Sequence, residues 1–417
     1  MIDPTLLRSH PDQIRRSLER RGLAVDLDGL IGLEAQLRRT RQEAEETRAA
    51  QKEAGKEIAR LEGDEKQAAI AEVGKLAERY KTLEAEAEQL TQSFEEQWAA
   101  VPNLVEPSAA EGHSEADNVE IKRVGDQPTF DFEASDFTAL GSSLDIVDME
   151  RGAKVSGSRF GYLKGPAVIL EFGLVRYAFD RLLGAGFTPM VPPVLVREQA
   201  LYGTGFFPGD REQVYSVPAD DLFLVGTSEV SLAAYHTDEI FDAAELPLRY
   251  AGFSSCFRRE AGTYGKDTQG LFRVHQFDKV EMFVFCAPEA SAEEHERLLE
   301  IEESIVGGLG LPYRVVNIAA GDLGSSAAKK YDIEAWFPSQ DAYREVTSCS
   351  NTTDYQARRL KVRMRGEEGN RIVHTLNGTA VAVGRMILAI LENFQQKDGS
   401  VDMPEALVPY LGFSRIG

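Results

Sequence analysis

The sequence FRREAGTYGKDTQGLFRVHQFDKVE, residues 257–281, reads as two β-strands joined by a polar loop that contains three glycines. Phe257 closes the first strand and Phe272 opens the second, in which apolar and polar side chains alternate. The polar face of the second strand is predicted to carry Arg273, His275, Phe277, Lys279 and Glu281. Plain exposure to solvent would explain this face. An aromatic ring among charged groups favours a binding surface instead, because the ring can stack on a base while arginines bind phosphate oxygens.

The pattern around this segment indicates the fold class. From about residue 130, apolar helices and alternating strands follow one another without a regular βαβ rhythm. Neither GxGxxG after a strand nor GxxxxGK[ST] occurs, which disfavours the two commonest nucleotide-binding folds. We therefore predict an α+β protein whose C-terminal part is a mostly antiparallel sheet flanked by helices.

Residues 30–94 carry a different, helical signal. Apolar, small or polar seam residues recur in a 3-4-3-4 alternation from Leu30 to Leu61 and again from Ala69 to Phe94, with Gly63-Asp64-Glu65 between the two series. This pattern predicts an antiparallel helical hairpin coiled coil over about residues 28–98, on the order of 45 Å long and standing in solvent.

The hairpin divides the chain into two predicted domains. We assign residues 1–105 to an N-terminal domain that contains the hairpin, and residues 106–417 to the sheet domain. The stretch 102–128 is rich in Pro, Ser, Asn, Asp and Gly and is interpreted as a connector.

Charge is distributed unevenly along the chain. The 417 residues carry a formal charge of −22, which argues against nucleic-acid binding over the whole surface. Residues 1–62, however, hold twelve acidic and twelve basic residues and are neutral. Within them, four residues at i+4 spacing form a basic stripe on the first hairpin helix: Arg48, Lys52, Lys56 and Arg60. By pattern alone, ion pairs with neighbouring glutamates on a solvated helix explain this stripe as well as a binding role does.

The compartment is indicated by what the sequence lacks. The N-terminal residues show no apolar signal-peptide segment, and no apolar run is long enough to span a membrane. The spacing of Cys256, Cys286 and Cys349 fits neither a disulfide framework nor a CxxC-type zinc site, and no HExxH motif occurs. We expect reduced thiols, a cytoplasmic protein and no membrane partner.

Three further segments are chemical candidates, each with a structural alternative. TAVAVGRMILAIL, residues 379–391, predicts a buried helix whose Arg385 must meet an anion, either a structural carboxylate or a ligand phosphate. REVTSCSN, residues 344–351, offers hard oxygen ligands suited to magnesium, although such clusters are common at strand-end turns. GTSE, residues 226–229, is either part of a site or a helix N-cap.

Residues 166–193 predict an interface. An apolar helix runs into Phe187-Thr188-Pro189-Met190-Val191-Pro192-Pro193, where the prolines predict an edge strand. An edge strand beside an apolar helix can pair with a second subunit, although an ordinary core helix followed by an edge strand would give the same pattern.

Taken together, these segments resemble the class II aminoacyl-tRNA synthetases, and within them the bacterial seryl-tRNA synthetase family. The helix and strand ending at Pro193 are similar to motif 1, residues 257–281 to motif 2, and GTAVAVGRMILAI to motif 3. The segments LVGTSE, DLGSSAAKKYDIEAW, REVTSCSN and TLNGT and the N-terminal hairpin resemble serine-specific features of the family. The resemblance extends from Met1 to about Gly412.

The resemblance implies an ATP-dependent serine–tRNA ligase and a role for each matching residue. It implies that Arg258, Glu260 and Arg385 are catalytic. It implies ATP contacts from Arg258, Arg259, Glu260, Val274, Phe277, Glu345, Val346, Thr347, Ser348 and Arg385, with Val274 acting through its backbone. It implies serine contacts from Thr227, Ser228, Glu229, Arg258, Glu281, Asn377 and Thr379. Glu345 and Ser348 are the implied Mg2+ ligands, and the basic stripe is the implied tRNA-binding surface.

The implied partners are L-serine, ATP, tRNA(Ser), tRNA(Sec) and a second copy of the chain, with no DNA partner. Two other interpretations remain open from the sequence. An adenylating relative could pass serine, or an analogue, to a non-tRNA acceptor, although such relatives usually lack the hairpin. A non-catalytic coiled-coil protein would have no reason to keep Arg258, Glu281, Glu345 and Arg385 together.

Overall fold

The computed structural model describes residues 1–262 and 271–417, and these residues form two compact units. The first, here called the sheet unit, comprises Met1–Ile2, Arg20–Leu23 and Asn103–Gly417. The second, the helical unit, comprises Asp3–Glu19 and Ala24–Pro102. The chain therefore passes between the units near residues 2, 20, 23 and 103, and each unit is described by itself below.

The helical unit is dominated by two long helices, as the heptad pattern predicts. Its helices are α1 (Leu6–Ser9), α2 (Pro11–Arg20), α3 (Leu27–Ile58) and α4 (Gly63–Ala99), with Arg20, the last residue of α2, already counted in the sheet unit. Asp26 caps α3 by accepting a hydrogen bond from the backbone N–H of Gly29 at 2.9 Å. Every predicted seam position of α4 from Ala69 to Phe94 is buried or half-buried, so the helices meet along the predicted seam.

The turn of the hairpin differs from the prediction. Helix α3 ends at Ile58 and α4 begins at Gly63, so residues 59–62 form the turn and Gly63-Asp64-Glu65 already belong to α4. Asp64 and Glu65 in the first turn of α4 carry negative charge at the helix N-terminus, where the macrodipole favours it. The acidic residues that read as a turn are thus also good helix-start residues.

The sheet unit contains eighteen strands and nine further helices among the described residues. The helices are α5 (Phe137–Ser143), α6 (Met149–Ser156), α7 (Pro166–Gly184), α8 (Glu198–Thr204), α9 (Glu229–Ala234), α10 (Ser291–Gly308), α11 (Tyr355–Leu360), α12 (Val383–Asn393) and α13 (Val408–Leu411). The strands are β1 (Val119–Val124), β2 (Val147–Asp148), β3 (Tyr162–Leu163), β4 (Thr188–Met190), β5 (Leu195–Val196), β6 (Ser216–Val217), β7 (Leu222–Leu224), β8 (Ile240–Phe241), β9 (Leu248–Phe257), β10 (Gln276–Cys286), β11 (Tyr313–Asn317), β12 (Lys329–Phe337), β13 (Ala342–Thr353), β14 (Arg363–Gly366), β15 (Gly369–Ile372), β16 (His374–Ala382), β17 (Val401–Asp402) and β18 (Arg415–Ile416).

Eight of these strands form the main sheet, in the order β1-β11-β12-β13-β16-β10-β9-β4. Neighbours pair antiparallel except for β4 and β9, which are parallel, so the predicted mostly antiparallel sheet is confirmed. The proline-containing β4 lies at one edge, as predicted. β1 lies at the other edge, inside the stretch that we interpreted as a connector, and that part of the interpretation was wrong.

The main sheet separates an apolar core from a polar cavity. Alternate residues of β10 (Val280, Met282 and Val284) are fully buried in a core that also receives side chains from α7, α10 and α12. Lys279 and Glu281, which alternate with these core residues at the start of the strand, face the cavity described below. Period-2 alternation in β10 therefore places the site on one face of the sheet and the core on the other.

Two predicted boundaries in this region were wrong. Strand β10 begins at Gln276 rather than at Phe272, although the alternation of residue types continues outside the strand. Residues 379–382 belong to β16, and helix α12 begins only at Val383, because a fully buried strand is apolar on both faces and reads like a buried helix. The predicted loop residues 263–270 lie outside the described residues.

Within the described part of the chain, no helix combines the length and apolar character needed to cross a bilayer. Helix α7 is the longest apolar helix of the sheet unit, and it packs many of its residues into the core.

Candidate active site

A cavity of about 190 Å³ opens on the polar face of the main sheet. It collects residues from β10, β13, β16 and the start of α12, together with the segment that follows β9. Fourteen of the predicted site residues line it: Thr227, Glu229, Arg258, Glu260, Val274, Phe277, Glu281, Glu345, Val346, Thr347, Ser348, Asn377, Thr379 and Arg385. Residues that are up to 158 positions apart in sequence thus meet in one site.

Two predicted contacts do not line this cavity. Ser228 is fully buried, and its hydroxyl donates to the carbonyl oxygen of Gly252 at 3.3 Å. Arg259 is exposed, and its backbone N–H donates to the carbonyl oxygen of Gln213 at 2.9 Å. Segment 226–229 does precede a helix: Ser228 is the N-cap residue of α9 and makes no side-chain capping hydrogen bond, while the hydroxyl of Thr227 accepts one from the backbone N–H of Glu229 at 3.2 Å.

The cavity wall combines a guanidinium group with an aromatic ring. The guanidinium carbon of Arg258 lies 5.2 Å from the centroid of the Phe277 ring. The Nε of Arg258 donates to the carbonyl oxygen of Gly226 at 3.2 Å, which fixes the direction of the side chain. Next to it, Glu260 accepts a charged hydrogen bond from Arg273 at 2.8 Å. An aromatic face and a positive charge together suit a nucleotide.

A second arginine lies at the start of α12. The Nη1 of Arg385 donates to the carbonyl oxygen of Glu345 at 3.0 Å and to its carboxylate at 3.1 Å. The guanidinium also lies 4.9 Å from the ring centroid of Phe272. We predicted a buried Arg385, but its side chain keeps 23% of its surface exposed, and the structural carboxylate that we considered as its partner is present.

The charge state of Glu345 is set by its neighbours. Burial alone would raise the pKa of this carboxyl group, but the positive charges of Lys330 and Arg385 outweigh burial and lower the pKa to about 2. Glu345 therefore stays ionised at any physiological pH. It lies within β13, so the cluster 344–351 is a strand and not a strand-end turn.

The cavity also holds buried acidic groups. Glu281 is 2% exposed, forms an ion pair with Lys279 and accepts a hydrogen bond from the Thr379 hydroxyl at 3.4 Å. The Oε1 of Glu229 accepts hydrogen bonds from the side-chain amides of Gln356 at 2.7 Å and Asn377 at 3.0 Å. A solvated face is thereby excluded for this part of β10.

Glu229 is poised to change its charge near neutral pH. Burial first, and then the negative charge of Glu281, raise the pKa of Glu229 to about 7. A ligand ammonium group at this position would favour the ionised form. The pair of buried carboxylates, with hydroxyl and amide groups around it, therefore suits a small amino acid with a polar side chain.

The donor set also fits a magnesium ion that is shared with a nucleotide. Glu345 and Ser348 line the same cavity and supply an ionised carboxylate and a hydroxyl group, which are hard oxygen ligands. Mg2+ commonly takes only one or two protein ligands and completes its shell with phosphate and water oxygens. No cluster of three or more His, Cys, Asp or Glu side chains suited to a metal occurs among the described residues, so we do not expect a site built from protein groups alone.

Three residues at the site were not assigned a ligand contact in the sequence-based prediction. Arg273 and Lys279 were placed on the polar face of the second strand, and their opposite-charge partners Glu260 and Glu281 lay nearby in the sequence. That charge pattern could have indicated both pairs. Gln356 lies on α11 and reaches Glu229 only through the tertiary fold, so no local signal identifies it.

The basic stripe lies in the helical unit. The Nη1 of Arg48 donates to the Tyr80 hydroxyl at 2.9 Å, and Lys56 pairs with Glu53 at 2.9 Å. All four stripe residues are exposed. Arg60 lies beyond the end of α3, in the turn, so the stripe does not continue along the helix to Arg60 as predicted.

Comparison with known proteins agrees with this geometry. Residues 1–105 match the family described as the seryl-tRNA synthetase N-terminal domain, and residues 214–394 match the class II core domain of tRNA synthetases (G, H, P, S and T). A serine–tRNA ligase of Thermobifida fusca is 51% identical over 99% of this chain and 98% of its own length. A serine–tRNA ligase of Acidothermus cellulolyticus shows the same identity and the same coverage.

Two solved structures have the same fold. The seryl-tRNA synthetase of Pyrococcus horikoshii complexed with ATP has a TM-score of 0.95 and 41% identity, covering 100% of this chain and 99% of its own. The cytoplasmic serine–tRNA ligase of Naegleria fowleri in complex with AMP has a TM-score of 0.90 and 34% identity, covering 100% and 98%. From the site geometry and these full-length similarities, the chain belongs to the seryl-tRNA synthetase family, the serine–tRNA ligases among the class II aminoacyl-tRNA synthetases.

Proposed function

We propose that this chain converts L-serine and ATP to seryl-adenylate and transfers the seryl group to the 3′ end of tRNA(Ser) and of tRNA(Sec). The observation that supports this most strongly is the single cavity in which Arg258, Phe277 and Arg385 lie close to Glu229 and Glu281. The first group suits a nucleotide triphosphate and the second a small hydroxyl-bearing amino acid. Joining the two ligands is the chemistry that such a cavity allows.

Activation needs no nucleophile from the protein. A carboxylate oxygen of serine attacks the α-phosphorus of ATP, the bond to the β-phosphate oxygen breaks, and pyrophosphate leaves. Arg258 is placed to bind the α-phosphate and Arg385 the terminal phosphate, while Phe277 stacks on adenine. Glu260 orients the base, and the backbone near Val274, Val346 and Thr347 contacts the nucleotide.

Magnesium would be held by Glu345 and Ser348 and would neutralise phosphate charge during this reaction. Arg258 and Arg385 also neutralise phosphate charge, because they supply two positive charges at the cavity wall. The low pKa of Glu345 keeps this ligand ionised without any competition from protons.

Serine is selected by polar groups that are already buried. We assign the ammonium group to Glu229, Glu281 and the Thr227 hydroxyl, and the serine hydroxyl to the neighbourhood of Thr379 and Asn377. Ser228 supports the segment by its hydrogen bond to Gly252. Alanine would leave a buried polar group without its partner, which costs more than a missing contact in an apolar pocket.

Transfer uses the 3′-terminal ribose of the tRNA. Its hydroxyl oxygen attacks the carbonyl carbon of the adenylate, the bond from that carbon to the phosphate oxygen breaks, AMP leaves, and the hydroxyl proton is released to solvent. We assign recognition of the tRNA body to residues 1–105, where the exposed basic stripe contacts the RNA backbone, and both chemical steps to residues 106–417.

We further propose that the chain works as a homodimer in the cytoplasm. Helix α7 keeps three large apolar side chains exposed, at 46% for Ile169, 59% for Phe172 and 49% for Leu183. Val191, beside the edge strand β4, is 84% exposed. A partner subunit would cover these side chains. Phe172→Glu should give a monomer by light scattering at micromolar concentration, whereas a dimer in this variant would contradict the assignment of this face. The three buried, free cysteines fit a reducing compartment.

Pyrophosphate exchange with serine, threonine, alanine and cysteine tests the activation step. We expect exchange with serine and at least a hundredfold preference over alanine, and we expect Arg258→Ala to abolish exchange. Charging of bulk tRNA then tests the acceptor. Exchange without charging would favour a non-tRNA acceptor, and no exchange with serine would refute the proposed function.

A further inference from the structure

A second chamber adjoins the active-site cavity. Its volume is about 480 Å³, and it shares six wall residues with the cavity: Phe206, Glu229, Arg258, Glu260, Arg273 and Asn377. The far wall of the chamber includes Gly324, Ser325, Ser326 and Ala327. We call residues 323–327 the chamber loop. The loop has no regular secondary structure, so contacts from other segments must define its position.

Two buried side chains hold this loop through its backbone. Arg21 is 4% exposed, and its Nη1 donates to the carbonyl oxygens of Leu323 at 3.2 Å and Gly324 at 3.3 Å, while its Nη2 donates to that of Ala327 at 2.5 Å. Its Nε donates to the carbonyl oxygen of Asn103 at 3.1 Å. Every hydrogen bond of Arg21 within the described residues thus ends on a backbone carbonyl.

Asn103 holds the remaining two carbonyl groups of the loop. It is 2% exposed; its backbone N–H donates to Ser325 at 2.8 Å and its side-chain amide to Ser326 at 2.9 Å. The same amide donates to the carbonyl oxygen of Thr352 at 2.8 Å, on β13. Five successive carbonyl groups, from residue 323 to residue 327, are therefore satisfied by two residues that are themselves joined by a hydrogen bond.

The position of these two residues in the chain is informative. Arg21 belongs to the short segment Arg20–Leu23, which enters the sheet unit between two parts of the helical unit. Asn103 is the first residue of the sheet unit after the helical unit ends at Pro102. Both points at which the chain returns from the helical unit are thus fastened, inside the sheet unit, to the wall of the chamber.

From these contacts we infer that Arg21 and Asn103 are positioning residues for the transfer step, because they fix the wall of a chamber that receives the 3′-terminal nucleotide of the tRNA. The inference rests on the proposed function. The chamber touches Glu229 and Asn377, to which the ammonium and hydroxyl groups of serine are assigned, so it adjoins the proposed seryl position. It also contains Lys330 and Arg273, which pair with Asp332 and Glu260 and can add charged contacts to a phosphate. ATP and serine are assigned to the smaller cavity, so the loop has no direct part in adenylate formation.

If the inference is correct, variants of Arg21 and Asn103 lose transfer of the seryl group but keep serine activation. A general structural defect would reduce both reactions together. Arg21→Lys keeps the buried charge but replaces a planar group with three donor nitrogens by a single nitrogen, so it cannot span the loop from residue 323 to residue 327. Asn103→Ala removes the donor to Ser326 and leaves the backbone bond to Ser325 in place. Arg20→Ala is the matched control: its guanidinium donates to the carbonyl oxygens of Glu106 and Ala109, outside the chamber loop.

The experiment compares the full-length variants with the unmodified chain. Pyrophosphate exchange with serine measures activation, and a single-turnover reaction of preformed seryl-adenylate on the enzyme with tRNA measures transfer. We expect both loop variants to slow transfer at least tenfold, to change exchange less than twofold, and to change the transfer rate more than the KM for tRNA. Arg20→Ala should change both reactions less than twofold.

Two outcomes would overturn the inference. Equal losses of exchange and transfer would mean that Arg21 and Asn103 only maintain the fold, and the melting temperature of each variant would show it. Normal transfer in both variants would mean that the loop position does not matter for the tRNA end. Absence of serine-dependent exchange in the unmodified chain would instead refute the proposed function. The experiment therefore distinguishes failure of the proposed function from failure of the inference.

Discussion

Removal of the Lys279 charge should destabilise the sheet unit strongly. Lys279 is 6% exposed and Glu281 2% exposed, and they form an ion pair on the cavity face of β10. Lys279→Met keeps the length and the apolar stem of the side chain but leaves the buried carboxylate without its cation. Loss of one partner of a buried pair typically costs about 3–5 kcal/mol, because the remaining charge stays desolvated. We therefore expect a loss of this size in the free energy of unfolding.

The positions of the two tryptophans allow the loss of stability to be measured in the sheet unit separately from the helical unit. Trp98 lies in the helical unit and Trp336 on β12 of the main sheet. In a Trp98→Phe background, the fluorescence of Trp336 during urea unfolding follows the sheet unit alone. The matched control is Lys397→Met, which breaks an exposed pair with Asp131 that has a distance of 3.1 Å and should change stability by less than about 1 kcal/mol.

A double variant decides whether the pair is the cause. Glu281→Gln alone leaves the lysine buried without its partner and should also lose stability. Lys279→Met with Glu281→Gln leaves no buried charge at this point and should be more stable than either single variant. The double variant should still bind serine poorly, because the proposed ammonium ligand is gone. A loss below about 1 kcal/mol in Lys279→Met, or a double variant as unstable as the sum of the singles, would refute the reasoning.

Three further predictions concern the substrates. Phe277→Leu should raise the KM for ATP about tenfold with little change in the KM for serine, since stacking on a base is worth about 1–3 kcal/mol; equal changes in both constants would contradict a role in stacking. Burial and Glu281 raise the pKa of Glu229 to about 7, so below pH 7 this carboxyl group is increasingly protonated and cannot attract an ammonium group. The KM for serine should therefore rise as the pH falls from 8 to 6. The variant Glu229→Gln should have a higher KM for serine without this pH dependence. Lys52→Ala with Arg60→Ala should raise the KM for tRNA and reduce the salt dependence of tRNA binding, with normal pyrophosphate exchange; a parallel loss of exchange would show that the stripe residues do not act on tRNA alone.

The sequence predicts the elements of this fold better than their ends. The seam of α4 and the edge position of β4 follow from periodicity and proline chemistry, which are local signals. The start of β10 does not follow from local signals, because the alternation of side chains does not indicate where the hydrogen bonds between strands begin. The edge strand β1, with the sequence VEIKRV and five of six residues exposed, has no buried face that could distinguish it from a connector.

In the candidate site, too, local sequence signals identify some residues and fail to identify others. Arg258, Phe277 and Arg385 could be identified through motifs, since each lies in a segment whose residue types are unusual for their surroundings. The partners of these residues could not. The contact of Arg385 with Glu345 spans 40 positions and the contact of Glu229 with Gln356 spans 127, so only the tertiary fold brings them together. Similarly, the role of Arg21 depends on a loop 302 positions away.

These long-range partners bear on how the site discriminates between substrates. Three charged pairs line the cavity before any substrate is bound: Glu260 with Arg273, Lys279 with Glu281, and Arg385 with Glu345. A substrate group therefore competes with, or joins, an existing partner instead of meeting an isolated charge. The free energy gained on binding is then the difference between the interaction of the side chain with the substrate and its interaction with the existing partner. Only a ligand that supplies matching charge and hydrogen bonds at each pair makes that difference favourable, and the pairs hold the side chains in place while it binds. Pre-paired charges thus lower the cost of keeping an acidic and basic site folded, and they make a poorly matched amino acid or nucleotide a weak competitor.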